Sequence, residues 1–159
     1  MKVLLLLLAL TACDRAPPQA ETAGDRLEAA AQAAGLVADA DGSLVGAWAR
    51  ETDRVCVVPG VGGTTRIGAL VDYGEGQGCS ASGTLEQSGA TVRVRFGECR
   101  FEARFDGERL SFPAELPSAC DRACTGRASL AALSVERQGS SVSEAATLQA
   151  PNGALLCGG

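Results

Sequence analysis

The chain predicts a mainly β fold: a small antiparallel barrel or sandwich stapled by disulfides, with short N-terminal and C-terminal helices. Three observations lead there. Residues 91–112 alternate apolar and charged side chains at a period of two, the pattern of a sheet with one buried and one wet face. Turn residues recur at roughly ten-residue spacing, as they do in small all-β domains. Six cysteines lie between residues 56 and 157 of a chain of 159 residues.

The first segment reads as an address. Met1-Lys2 precedes an apolar run from Val3 to Leu10, and Thr11-Ala12-Cys13 follows. A charged start, a short apolar core and small residues before a cut make up a secretory signal peptide. Leu10-Thr11-Ala12-Cys13 resembles the lipobox of bacterial lipoproteins. That resemblance implies cleavage after residue 12, a diacylglyceryl thioether on Cys13 and acylation of the new amino terminus. The alternative is a plain transmembrane anchor with an incidental Cys13. The run is about ten residues long, roughly half of the ~20 that a spanning helix needs, so lipid is the expected attachment. Three parts follow: signal peptide 1–12, lipidated tether 13–23, and a single disulfide-stapled β-rich domain 24–159. Asp14 directly after the lipidated cysteine resembles the inner-membrane retention signal of enteric bacteria. The expected location is the cell membrane, facing the periplasm, inner in preference to outer.

Pro17-Pro18 with small polar neighbours suits an extended tether. Thr22 with Asp25 has N-cap spacing, and residues 25–34 read as an alanine-rich helix ended by Gly35. Its apolar side is nearly all alanine, which packs weakly. Residues 39–43 form a loop. Residues 44–50, 55–58 and 66–73 read as strands, with glycine-rich loops at 60–63 and 74–78. Residues 82–87, 91–96, 99–105 and 109–112 complete a set of seven. Ser88-Gly89, Gly97-Glu98 and Asp106-Gly107 supply the turns between them. After Pro113 the pattern changes. Pro117-Ser118 has the composition to cap a short helix through Cys120 and Cys124. Residues 130–138 fit helix and strand equally, with Leu133 and Val135 as their buried residues. Ser141 to Glu144 has capping-box spacing for a helix to Gln149, Pro151-Asn152-Gly153 turns the chain, and residues 154–157 form a tethered strand.

Composition excludes much chemistry. The chain has no histidine, and its only lysine and only methionine are Lys2 and Met1. Ser-His-Asp triads, Cys-His dyads, Schiff-base lysines and phosphate-loop lysines are therefore excluded. Beyond residue 12, 13 arginines face 19 acids, a net of −6, which argues against nucleic acid as a partner. With Cys13 assigned to lipid, Cys56, Cys79, Cys99, Cys120, Cys124 and Cys157 are an even set in an exported domain and read as three disulfides. A thiolate metal site at Cys120 and Cys124 is the competing reading; no metal and no cofactor is expected. The pairing is open, with one constraint: Cys120 and Cys124 staple their segment to two different strands.

Gly46-Ala47-Trp48 resembles the Gly-x-Trp motif on the first strand of lipocalin-like barrels and of small periplasmic inhibitor barrels. The resemblance implies a tryptophan closing one end of a barrel, and it carries over no ligand residue. A buried tryptophan after a glycine, with no family meaning, is the alternative. The second candidate is the wet face of the β region. Arg93, Arg95, Arg100, Arg104 and Arg109 lie on it, suited to an acidic protein or to a phosphate or carboxylate ligand, unless they form only a solvated face. Residues 60–65 lack the lysine of a phosphate loop. Asp72 with Glu75, or Glu98 with Glu102, are carboxylate pairs that nothing places in a cleft. The expected function is a non-catalytic binding or inhibitor module, held at the membrane by lipid and directed at an envelope protein. A carrier of a small apolar ligand and a structural envelope lipoprotein are the alternatives.

Overall fold

The computed structural model describes residues 22–33 and 42–158. The expected signal peptide, Cys13, Asp14, Gly35 and most of the 39–43 loop lie outside them. The chain forms an antiparallel barrel of eight strands. In chain order these are β1 (Gly46–Arg50), β2 (Asp53–Pro59), β3 (Thr65–Asp72), β4 (Gly78–Ser88), β5 (Thr91–Phe96), β6 (Cys99–Phe105) and β7 (Arg109–Ser111). A two-residue β8 (Cys124–Thr125) pairs with the start of β4, and β9 (Ser134–Gly139) is the eighth barrel strand. Each barrel strand pairs with its sequence neighbour, and β9 bridges β7 and β1 to close the ring.

The eighth strand falls in the stretch that sequence left between helix and strand. Its burial alternates as a strand requires, with Val135 fully buried and Glu136 exposed. Two of the turns are two-residue hairpins, Gly97-Glu98 as expected and Gly89-Ala90 one residue beyond the expected Ser88-Gly89 because Ser88 still pairs with Thr91, each with a glycine of positive φ in first place. Asp106 organises the third. Its Oδ1 accepts from the backbone N–H of Arg109 at 2.8 Å and of Glu108 at 3.1 Å.

These N–H groups hold the Asp106 carboxyl below the usual 3.8. A lowered folded value means stability that is present above the ordinary aspartate range and lost as pH falls through the lowered one. In urea titrations between about pH 2 and 7, wild type should exceed Asp106→Ala near neutrality and converge with it at the acid end. A constant gap would show that the carboxylate charge does not hold this turn.

Inside the ring, Val55, Val57, Ile67, Ala69, Leu85, Val92, Val94, Leu110 and Val135 meet in one core. The outer side of β2 is apolar as well. Cys56 and Val58 pack under Ala145, Leu156 and Cys157 in a second cluster, so the C-terminal segment lies against the barrel wall. Gly68 on β3 makes room there, because a Cβ would stand 2.6 Å from that of Leu156.

Three disulfides hold the C-terminal segment and the β7–β9 connection to the ring: Cys56–Cys157, Cys79–Cys124 and Cys99–Cys120. Cys120 and Cys124 do reach two different strands, β6 and β4. The helices are shorter or different from expectation. Thr22 and Asp25 cap α1 (Ala23–Ala33) reciprocally, so the helix starts one residue inside the expected tether. Ser118–Ala123 is a 3-10 helix with no side-chain cap from Pro117. Ser141 caps α2 (Val142–Ala145), which stops short of Gln149. The carbonyl of Leu148 instead accepts from Leu156 N–H at 2.8 Å, folding the chain back. Residues 154–157 contribute a single bridge, Gln149 to Leu155, rather than a strand.

Candidate functional site

Both ends of the barrel are covered. At one end the indole N–H of Trp48 donates to Leu44 O at 2.9 Å. The Arg137 guanidinium lies 4.2 Å above the Trp48 ring and donates to the carbonyls of Val45 and Ser43 at 3.2 and 2.5 Å. Partial burial lowers the Arg137 pKa from its usual value. Gly46 makes this end possible. Its φ is +135, and a Cβ would stand 2.1 Å from Gly139 O on β9. At the other end the connection from β7 to β9 folds over the opening. Phe112, Cys120, Leu130 and Leu133 enter the core there, next to Phe96 and Phe101. With the interior filled and both mouths capped, the exposed chemistry is on the outer wall.

On that wall, hairpin register decides which charges meet. The β5–β6 turn sets Arg95 directly opposite Arg100 and Arg93 opposite Glu102. Phe105 N–H donates to Ala90 O at 2.9 Å, which makes every second pair, including Val94 with Phe101, the hydrogen-bonded one. Arg95 and Arg100 are therefore a non-hydrogen-bonded pair with Cα atoms about 4.5 Å apart, where side chains approach most closely. Thr84 on β4 is the next neighbour of Arg95 in the same row.

Three acids of this wall and its surroundings are paired with other arginines, while Glu86 lies opposite Arg93 on β4. Glu102 pairs with Arg93 at 3.3 Å, Glu98 pairs with Arg122, and Glu136 pairs with Arg109 at 2.7 Å. Among the described residues, Arg95 and Arg100 have no ion-pair partner. They border an open depression of about 350 Å3 with Thr84, Glu86, Arg93 and Glu102. Gly83 keeps the backbone under them in place. A Cβ there would stand 1.8 Å from Arg95 O.

The five arginines expected on one face do share the outer wall, yet they do not form one cluster. Arg95 and Arg100 are brought together. Arg93 lies between Glu86 and Glu102 and is neutralised. Arg104 is beside Thr91 and Ser111, two rows along. Arg109 belongs to β7, where its hydrogen bond to Glu136 raises its pKa. Thr84 escaped the sequence reading because only the β4–β5 register reveals it. Arg137 escaped too, since its strand was ambiguous.

The remaining candidates dissolve into local structure. In residues 60–65, Gly60 N–H donates to Thr64 O and the Thr64 hydroxyl donates to Val61 O, so the loop closes on itself. Asp72 Oδ1 accepts from Gly74 N–H at 2.8 Å, and Glu98 and Glu102 bind different arginines. Among the described residues, no group of three metal-ligating side chains assembles, and no helix is long and apolar enough to cross a membrane. No protein family model, no curated protein and no solved structure matches the chain.

Proposed function

We propose that this chain is a lipid-anchored module of the cell envelope that binds a protein partner through the outer face of β4, β5 and β6 and performs no catalysis. The observation that carries this reading is the opposed pair Arg95 and Arg100, with no ion-pair partner among the described residues of a domain with a surplus of acids. A closed, twisted ring holds these side chains on rigid strands, which limits the ordering cost of binding. A packed interior with covered ends supports a surface binder over a carrier of apolar ligands. The lipobox-like Leu10-Thr11-Ala12-Cys13 supports attachment through Cys13. Gly46-Ala47-Trp48, at the covered end of a closed barrel, is compatible with the lipocalin-like and inhibitor barrels it resembles.

Site-specific photo-crosslinking in cells tests the reading. A crosslinker at Thr84 should give one dominant protein adduct, and a crosslinker at Thr52, at a β1–β2 turn, should not. Charge reversal at Arg95 and Arg100 to glutamate should abolish the adduct while leaving the circular dichroism spectrum unchanged. Equal adducts from both positions, or an adduct indifferent to charge reversal, would remove the basis for this surface.

A further inference from the structure

We infer that Arg95, Arg100 and Thr84 form a discrete site for one phosphate-type oxyanion. The inference takes this face as the binding surface, as above, without requiring that the anion be borne by a protein. It starts from an energetic anomaly. Like charges directly opposite on neighbouring strands are destabilising, most of all in a non-hydrogen-bonded pair. Arg95 and Arg100 occupy such a pair. Elsewhere on the same wall the register relieves arginines with acids, as at Arg93–Glu102 and Arg109–Glu136. At this pair the relieving anion is not part of the described chain.

Donor geometry selects the ligand class. Two guanidinium forks and one hydroxyl stand in a single row across three strands that are spaced ~4.8 Å apart. Two positive charges and this many donors match a tetrahedral oxyanion with three or four acceptor oxygens better than a carboxylate with two. The neighbouring row sets the size. Glu86, Arg93 and Glu102 lie two residues away along the strands, ~6.8 Å, and their net charge is negative. A polyanion running along the strands would meet those two glutamates, whereas an isolated phosphate would not.

The test uses the full chain, purified in detergent, with inorganic phosphate as the probe at constant ionic strength. In NMR spectra of the arginine side chains, the Arg95 and Arg100 Nε–H signals should move together and saturate with phosphate. Acetate should shift them roughly tenfold more weakly. Arg95→Gln should weaken phosphate binding roughly tenfold and, at low salt, raise the melting temperature by removing the repulsion. Phosphate should raise the melting temperature of wild type more than that of the variant at every concentration.

Glycerophosphoglycerol, a lipid headgroup without its chains, forms the second arm. Tighter binding of the diester identifies a lipid source, and tighter binding of inorganic phosphate a terminal or free phosphate; either supports the site. Uniform, non-saturating shifts of all arginines with both probes would overturn it. Crosslinking from Thr84 that survives such a result would leave the protein-binding reading standing alone.

Discussion

Replacing Trp48 with alanine should lower the stability of the domain by ~3–5 kcal/mol, the range for removing a fully buried large aromatic side chain. Trp48 is 1 % exposed and meets Phe105 edge-on at 5.6 Å. Its loss leaves a void at the covered end and strips Arg137 of the ring beneath it. Trp48→Phe should cost less, because the ring volume is largely kept and chiefly the indole bond to Leu44 O is lost, ~1 kcal/mol. Guanidinium denaturation followed by circular dichroism measures both, since no second tryptophan is available as a fluorescence probe. Equal stability of Trp48→Ala and wild type would mean that the end closure contributes nothing to folding.

The second large effect concerns Cys56–Cys157. This bridge spans 101 residues, against 45 and 21 for the other two. Closing a longer loop restricts the unfolded chain more, by about 1.4 kcal/mol over the 21-residue loop in the chain-entropy picture. Changing both cysteines to alanine should therefore cost ~2–5 kcal/mol, and more than the same change at Cys99 and Cys120. The damage should also be local. Ala145, Leu156 and Cys157 belong to a cluster separate from the barrel interior, joined to it along β2. Limited proteolysis should cleave within residues 142–158 at denaturant concentrations where the ring still resists. Simultaneous cleavage of tail and ring would show that the two clusters fold as one unit.

How much of this was legible depends on which physical signal each element carried. Strands β5 and β6 announced themselves because one face meets the core and the other meets water. At β2 that signal is missing, since Val55 and Val57 face inward while Cys56 and Val58 face the C-terminal cluster. A strand buried on both sides has no alternation to read. Residues 130–138 failed for another reason. Leu130, Leu133 and Val135 are buried, and their spacing fits a helix face as well as a loop running into a strand.

The arginine face was visible as a list of residues and hidden as a site. Alternation shows which side chains share a wall, but only register shows that Arg95 confronts Arg100 while Arg93 meets Glu102. Disulfide pairing was out of reach for a similar reason. It follows from where the β7–β9 connection and the C-terminal segment lie against the barrel, long-range events with no local signature.

Closure of the ring has a consequence for recognition itself. Many β domains capture peptides by strand addition, in which an exposed sheet edge offers its main-chain N–H and C=O groups to a guest. Here every barrel strand is paired on both sides for part of its length, and among the described residues the unpaired stretches include the two-residue β8, the part of β4 between its β8 and β5 pairings, and β6 ahead of Arg104. A guest strand finds only short stretches to zip onto. Recognition must then be carried by side chains, whose identity is open to point mutation in a way that main-chain pairing is not. The specificity of such a surface changes one residue at a time, while the scaffold beneath it stays as it is.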